Sequence, residues 1–237
     1  MKFSLLHPSR SRPTKSFQAT QDWVNSSTSN DFELIVSIDE NDDYKDQYFA
    51  IYSNVPKAKV IVNRNRSAVD AINNAAKESS GEILIVVSDD TGCIINWDQI
   101  ISNATAGKSD FILKVFDGIQ KWIITMPIMH RDYYNRFGYV YHPDFRHMFC
   151  DTYLTHQADA LKKIIWRNDI RINHNHYSVT KQGKDPVSMQ ADSTIYEGEK
   201  VYINLIKQNL LLEGVDIWNL SEYANGHLTW CRNKRII

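Results

Sequence analysis

A short apolar run that ends in two adjacent acids constrains this chain more than any other feature. Residues 83–87 read Ile-Leu-Ile-Val-Val, and Ser88, Asp89 and Asp90 follow directly. The run is short, β-branched and preceded by Gly81, which predicts a strand buried on both faces, as in a parallel sheet. Open sheets of that kind bind ligands at the edge where their strands end. The two acids are therefore expected at a ligand-binding edge.

The acid pair itself has two interpretations. Paired carboxylates bind hard divalent cations, and a cation held there can bind a diphosphate. The same segment, Asp-Asp-Thr-Gly, also suits a solvated turn. This segment taken alone favours neither interpretation, whereas the rest of the chain favours the metal.

The first 96 residues alternate between strand and helix patterns. Strands are expected at residues 2–6, 32–38, 59–62 and 83–87. Helices are expected at residues 14–25 and after Ser67, which can cap the second of them. This order predicts a parallel sheet with right-handed crossovers. The loops that follow the strands then meet at one edge, which gathers arginines, acids and exposed backbone.

The pattern changes after residue 96. We expect helices at residues 97–106 and 151–165 and strands at residues 111–116, 121–126 and 170–172. The first two of these strands flank Asp117-Gly118, a pair typical of a hairpin turn. Residues 178–187 are polar and are expected to be mobile. From residue 191 onward, the chain is expected to be helical and then irregular.

Composition places the chain among folded globular proteins. It has 237 residues, 43% of them hydrophobic, which suits one large α/β domain. The formal net charge of −1 gives no overall attraction to nucleic acid, although a local basic face would not show in the total. Three widely spaced cysteines favour a reducing compartment, and Cys150 is expected to be a buried thiol. No run approaches the ~20 apolar residues of a membrane span, so we expect a cytoplasmic protein.

In this order, the motifs resemble those of GT-A glycosyltransferases of the broad family 2 type, over roughly residues 2–177. The matching features, in chain order, are a strand entering Pro8-Ser9-Arg10, a strand ending in Asp39, a helix led by residues 63–67, the Ser88-Asp89-Asp90 element, Met126-Pro127-Ile128 before Gly138, a helix opening with Asp151, and His174-Asn175-His176. The acid element is similar to the Asp-x-Asp of that family. Ser88 stands at its first position, which leaves the division of labour between Asp89 and Asp90 open.

The resemblance implies an α/β fold of the GT-A type, with a Rossmann-like, mostly parallel sheet flanked by helices and a mixed C-terminal half. It implies a catalytic domain over residues 1–190, with a nucleotide-sugar half (1–96) and an acceptor half (97–190). Residues 191–237 would be a helical extension packed on that domain. The implied reaction moves a sugar from a nucleotide-sugar, with UDP as the first choice, to a hydroxyl of a saccharide or other acceptor, with Mn²⁺ or Mg²⁺ as cofactor.

Site residues follow from the same resemblance. The donor would contact Pro8, Ser9, Arg10, Asp39, Asn63, Arg66 and Asp89. The ion would be bound by Asp90 and by one of two histidines, His176 or His174, which point to opposite sides of an extended segment; we favour His176. Asp151 would be the general base. The competing interpretations are solvated loop acids, surface arginines, loop histidines and, for Asp151, a plain helix N-cap.

Other functions remain open at this point. A nucleotidyltransferase on a related fold usually has a Gly-rich loop after the first strand, whereas this loop reads His-Pro-Ser-Arg-Ser-Arg. A catalytically inactive nucleotide- or sugar-binding module agrees with Ser88 at the first acid position. A DNA-modifying glycosyltransferase is a third alternative, although the near-neutral charge gives it no support.

Overall fold

One sheet forms the centre of the part of the chain that this computed structural model describes, residues 1–175 and 186–208. Its strands are Phe3–Pro8 (β1), Phe32–Asp39 (β2), Ala58–Asn63 (β3), Ile83–Val86 (β4), Ile112–Phe116 (β5), Ile128–His130 (β6) and Ile164–Arg171 (β7). The helices are Pro13–Asn25 (α1), Lys45–Tyr52 (α2), Ala68–Lys77 (α3), Trp97–Thr105 (α4), Arg131–Phe137 (α5), Cys150–Ala160 (α6), Pro186–Ser193 (α7) and Ile195–Lys207 (α8). From edge to edge, the strand order is β3-β2-β1-β4-β6-β5-β7.

The four strands of the first half are parallel, as their alternation with helices predicts. Strand β1 pairs with β2 on one side and β4 on the other, and β3 extends the sheet beyond β2. In the second half, β6 runs antiparallel to both β4 and β5, and β7 runs parallel to β5. The prediction of a mostly parallel α/β sheet with a mixed C-terminal half is therefore confirmed.

Both faces of the sheet are buried, which explains why the strand before the acid pair is apolar throughout. Leu84 belongs to a core that includes residues of α3 and α6, whereas Ile83 and Ile85 belong to the core on the opposite face. That second core includes Trp23 of α1 and Trp97 of α4, whose ring centroids lie 5.4 Å apart. Because helices cover both faces, polar groups collect at the ends of the strands.

The hairpin predicted around Asp117 is wrong. Residues 121–126 form no strand, and the antiparallel partner of β5 is β6. The Asp117 carboxylate instead accepts hydrogen bonds from the backbone of Ile119 (2.8 Å) and Gln120 (2.6 Å) and from the hydroxyl of Thr125 (2.7 Å). These bonds draw residues 117–125 into a coiled loop. Within residues 121–126, Ile124 and Met126 are buried in this loop, whereas Trp122 is 48% exposed, so the apolar pattern does not reflect strand pairing.

The long helix predicted over residues 151–165 is also wrong at its C-terminal end. Helix α6 ends at Ala160, and the chain reverses at Lys162, which has a φ of +55°. Residues 164–171 then pair with β5 as strand β7, of which the predicted strand at residues 170–172 is the end. The first three residues of β7 are β-branched or aromatic, Ile164, Ile165 and Trp166, and such residues are enriched in strands.

Two helices have no counterpart in the sequence predictions. Helix α2 follows the acidic loop after β2, and α5 follows β6 directly. In α5, the ring Nδ1 of His130 accepts a hydrogen bond from the Asp132 backbone (3.1 Å), which satisfies a free donor of the first turn. Gly138, at a φ of +72°, ends the same helix. Helix α5 has only seven residues, too few to show a clear helical period.

The last described residues, 186–208, contain helices α7 and α8, which agrees with the helix expected from residue 191. Tyr202, Leu205 and Ile206 of α8 are buried in the same core as α6. His176, most of the polar segment 178–187 and Cys231 lie outside the described residues, so the predictions for them stay predictions. Among the helices of residues 1–175 and 186–208, none has the length and apolar character that a membrane crossing requires.

Candidate active site

A cleft of about 580 Å³ opens at the edge of the sheet where β1, β2 and β4 end. The predicted site residues on its lining are Pro8, Ser9, Arg10, Asp39, Arg66, Asp89, Asp90, Asp151 and His174. Asn63 is not on the lining; it ends β3, and its carbonyl accepts hydrogen bonds from the backbone of Glu40 (2.8 Å) and Asn65 (3.0 Å). The sheet topology therefore brings together residues that are up to 166 positions apart, from Pro8 to His174.

One end of the cleft is formed by the loop after β1 and the last residue of β2. The Arg10 guanidinium pairs with one carboxylate oxygen of Asp39, and the Asn65 side chain donates to the other at 2.9 Å. The side chain of Asn74 in α3 in turn donates to the side-chain amide oxygen (Oδ1) of Asn65 at 2.8 Å. Asp39 is buried, so this acid is not the solvated loop residue that the competing interpretation described.

Arg66 lies at the mouth of the cleft, just before α3. Its guanidinium forms two hydrogen bonds with Asp70, at 2.7 and 2.8 Å, and a third with the carbonyl of Pro143 at 2.9 Å. Ser67 is the N-cap residue of α3, as the sequence suggests, but its hydroxyl makes no capping bond. The Arg66 charge is therefore held at the start of α3 by a carboxylate of that same helix.

Asp89 faces the loop after β1. One of its carboxylate oxygens lies 3.1 Å from Nε2 of His7, and the other lies 2.9 Å from Nε of Arg12 and 3.2 Å from the hydroxyl of Ser9. Asp89 is only 6% exposed, and the His7 ring is fully buried. Both oxygens of Asp89 thus lie against side chains of the neighbouring strand and its loop, although the oxygen beside His7 accepts no hydrogen bond from a described residue.

Asp90 faces the opposite way, toward His174. Its Oδ2 lies 3.3 Å from Nε2 of His174, and the Ser88 hydroxyl donates to its Oδ1 at 2.5 Å. Burial alone would lower the pKa of His174, but the hydrogen bond and charge of Asp90 outweigh burial and raise it. Burial would likewise raise the pKa of Asp90, yet His174 and Ser88 hold it well below its usual range. The two side chains form an ion pair.

Backbone pairing places His174 beside the acid loop. Thr91 and His174 form an isolated antiparallel bridge, and the Asn175 backbone donates to the Asp90 carbonyl at 2.7 Å. The Gly92 backbone also donates to the carbonyl of Asn173 at 2.7 Å. A Cβ at Gly92 would lie 3.2 Å from that same oxygen, so glycine allows the two segments to approach closely.

Asp90 and His174 fit a divalent cation. A carboxylate oxygen and a neutral imidazole nitrogen form a donor set that suits Mn²⁺, so an ion bound here would displace the proton that His174 holds in the ion pair. The Asp90–His174 contact shows that both groups can reach one point. Within residues 1–175 and 186–208, no group of three His, Cys, Asp or Glu side chains converges on one point. An ion here would therefore complete its coordination with diphosphate oxygens and water, as Mg²⁺ does at phosphate sites.

Asp151 lies across the cleft, in the first turn of α6. The N-cap of this helix is Phe149, so Asp151 is not the plain cap of the competing interpretation. Its Oδ1 accepts a hydrogen bond from the Thr152 backbone at 2.7 Å. Burial raises the pKa of Asp151 above that of an exposed carboxyl, despite this bond and the nearby His147. A buried carboxylate with a raised pKa is a stronger base.

Comparisons with known structures identify the fold that forms this cleft. No family model matches the sequence, and no curated protein sequence matches it either. A crystal structure of TarS from S. aureus is similar with a TM-score of 0.65 and 15% identity, over 87% of this chain and 65% of TarS in that structure. The chain has the GT-A fold of glycosyltransferases. It spans 40% of a longer TarS structure.

Two further GT-A structures were determined with bound donor molecules. TarS in complex with UDP-GlcNAc is similar with a TM-score of 0.64 and 16% identity, over 87% of this chain and 66% of TarS. The mannosyltransferase PcManGT from Pyrobaculum calidifontis, in complex with GDP-Man and Mn²⁺, is similar with a TM-score of 0.58 and 11% identity. That second alignment covers 100% of this chain and 81% of PcManGT.

Several residues on or beside the cleft of this GT-A chain escaped the sequence predictions. His7 and Arg12 hold Asp89, and the pairing of β1 with β4 is the signal that could have identified them. Arg146 and Glu197, which pair at 3.1 Å, belong to the side of the cleft that α7 and α8 form. No local pattern marks that pair, because the two residues meet only through tertiary packing.

We predict that the two adjacent acids differ in their contribution to stability. Asp89→Asn should lower the free energy of unfolding by roughly 2 kcal/mol, because it removes the buried carboxylate that pairs with Arg12, whose side chain is 24% exposed. Asp90→Asn should cost about 1 kcal/mol, since it weakens a half-buried pair and keeps a partner in Ser88. Urea unfolding of the two variants at neutral pH measures this difference. Equal losses would contradict the division that the geometry indicates.

Proposed function

We propose that this protein is a metal-dependent glycosyltransferase that moves a sugar from a nucleotide-sugar to a hydroxyl of a saccharide or other acceptor. The observation that carries this proposal is the arrangement in the cleft of a GT-A fold. The Asp90–His174 pair lies on one side, where it can hold a cation and a diphosphate. The carboxylate of Asp151, in the first turn of α6, lines the same cleft, where it can act on an acceptor.

The Arg10–Asp39 pair favours a particular class of nucleobase. A carboxylate accepts from a ring N–H, and a guanidinium donates to the adjacent carbonyl oxygen. Uracil and guanine present such a face, whereas adenine and cytosine have no ring N–H next to a carbonyl. The donors in the TarS and PcManGT structures, UDP-GlcNAc and GDP-Man, carry these two bases. We place UDP first because TarS is the more similar of the two in structure.

The proposed reaction is a single displacement at the anomeric carbon of the donor sugar. Asp151 takes the proton of the acceptor hydroxyl while its oxygen bonds to that carbon. The bond between the carbon and the nucleoside diphosphate breaks, and the diphosphate leaves with the electron pair. A divalent ion bound by Asp90 and His174 would neutralise the charge of that leaving group. Attack from the face opposite the leaving group inverts the anomeric configuration.

Nucleotide binding should depend on a divalent metal and on Asp90. In calorimetric titrations, we expect Mn²⁺ to tighten UDP binding by roughly tenfold or more, because the ion bridges protein and diphosphate. Asp90→Ala should abolish that gain. The control is Asp132→Ala, which removes an acid that is 58% exposed and is not on the cleft lining.

The titrations separate the possible donors. Tighter binding of GDP than of UDP would reassign the base and keep the glycosyltransferase proposal. UDP and GDP affinities that do not respond to Mn²⁺ in the folded protein would contradict a metal-dependent site. They would instead favour the inactive binding module that Ser88 leaves open.

Loss of the Asp151 carboxylate should remove chemistry and spare donor binding. We expect Asp151→Asn to lower the rate of UDP-GlcNAc hydrolysis by roughly a thousandfold, as for the loss of a general base. The affinity for UDP should stay within about twofold, because the proposed metal ligands are Asp90 and His174, whereas the proposed partner of Asp151 is the acceptor. In the wild type, the rate should rise with pH through a pKa above that of an exposed Asp, since only the ionised carboxylate is a base.

The control for this experiment is Asp144→Asn, which removes an acid near α6 that is 64% exposed. It should leave both the hydrolysis rate and its pH profile unchanged. If the Asp151→Asn variant hydrolyses UDP-GlcNAc at the wild-type rate, and that rate still rises with pH as in the wild type, another group is the base.

A further inference from the structure

Helix α8 contacts the backbone of the loop that leads into α6. A Cβ at Gly198 would lie 2.2 Å from the carbonyl oxygen of Met148 and 2.9 Å from its carbonyl carbon, so only glycine fits at this contact. The Thr194 hydroxyl accepts a hydrogen bond from the Met148 backbone at 3.3 Å. The N–H and the carbonyl of Met148 are therefore both in contact with the start of α8. Glycine inside a helix lowers its stability, so its presence here indicates a packing requirement.

The next residue of this loop, Phe149, is in a conformation that needs support. Its φ of +69° lies in the left-handed region, which residues with a Cβ rarely adopt. The Phe149 ring packs against Tyr202 of α8, with ring centroids 5.7 Å apart. Tyr202 is fully buried, and its hydroxyl lies 2.8 Å from Nδ1 of His156 in α6. Helix α8 thus holds Phe149 and contacts α6 itself.

These contacts fix the start of the helix that carries Asp151. Helix α6 begins directly after Phe149, and the Phe149 carbonyl accepts the hydrogen bond of Tyr153 at 2.9 Å. The direction of the Asp151 carboxylate therefore depends on the backbone of residues 148 and 149. Neither Gly198 nor Tyr202 is on the lining of the cleft, so neither is placed to touch a substrate.

We propose that α8 positions the general base: Gly198 and Tyr202 hold Met148 and Phe149 in the conformation that directs Asp151 into the cleft. This inference rests on the proposed function, in which Asp151 is the base. It gives the C-terminal helix a role in catalysis, although the sequence resemblance ends before that helix begins. Gly198 and Tyr202 are positioning residues, because they act through the backbone of another segment.

The first test is Gly198→Ala, which forces the Met148 carbonyl to move. We expect kcat for UDP-GlcNAc hydrolysis to fall by roughly tenfold or more, since small displacements of a catalytic group are costly. KM for UDP-GlcNAc and the affinity for UDP with Mn²⁺ should stay within about twofold, because the donor side is untouched. In the protein without ligand, amide exchange across residues 148–154 should become faster.

Two further variants make this test specific. Asn204→Ala is the matched control, since Asn204 is exposed on the same helix and should change none of these quantities. Phe149→Gly removes the ring that Tyr202 holds, and it lets the backbone of residue 149 leave the left-handed conformation as easily as adopt it. It should remain folded, because relief of the left-handed strain offsets part of the lost packing, and it should show the same loss of kcat. An unchanged affinity for UDP with Mn²⁺ in this variant excludes the loss of a direct donor contact by Phe149, which is on the cleft lining. If Gly198→Ala does not fold, the result of Phe149→Gly decides.

The outcomes distinguish this inference from the function on which it rests. If Asp151→Asn loses hydrolysis while folded Gly198→Ala and Phe149→Gly keep the wild-type kcat, the positioning role is wrong and the proposed function stands. If Asp151→Asn keeps the wild-type kcat, the base assignment fails and the positioning role fails with it. A selective loss of kcat in both loop variants, with unchanged donor binding and faster exchange at residues 148–154, supports the proposal.

Discussion

The ion pair between Asp90 and His174 is the interaction on which the rest of the site depends. It joins the loop after β4 to the segment after β7, and the backbone bonds beside it join the same two segments. The two adjacent acids then serve different partners, because Asp89 is buried against His7 and Arg12. A sequence with two neighbouring carboxylates therefore gives one acid buried against the loop after β1 and one acid paired with His174 on the cleft lining.

The first half of the fold follows from the sequence because β1, β2 and β4 are buried on both faces and each of its strands ends in a polar loop. That pattern depends on local residues, and β4 shows it most clearly. The second half does not follow, because tertiary partners decide between alternatives that the local pattern leaves open. Residues 121–126 have strand composition and lie in a loop, whereas residues 164–165, which we expected at the end of a helix, pair with β5.

The part of the candidate site that depends on the order of the parallel strands was predictable from the sequence. Parallel strands bring their ends to one edge, so Ser9, Asp39 and Asp90 could be placed together from strand order alone. The placement of His174 beside Asp90 needed the bridge between Thr91 and His174, which no spacing rule reveals, whereas His176 lies outside the described residues. The contact between Gly198 and Met148 depends on two segments 50 residues apart in the sequence, and only the packed structure shows it.

The central claim is that Asp90, His174 and the diphosphate of a donor share one divalent ion. Electron paramagnetic resonance of the protein with Mn²⁺ and UDP tests this claim directly, because hyperfine couplings identify the atoms bound to the metal. In the wild type, we expect one hyperfine coupling of Mn²⁺ to phosphorus of UDP and one to nitrogen of His174. The nitrogen coupling should be absent in His174→Ala. A phosphorus coupling with no nitrogen coupling in the wild type, or a nitrogen coupling that survives in His174→Ala, would contradict the claim.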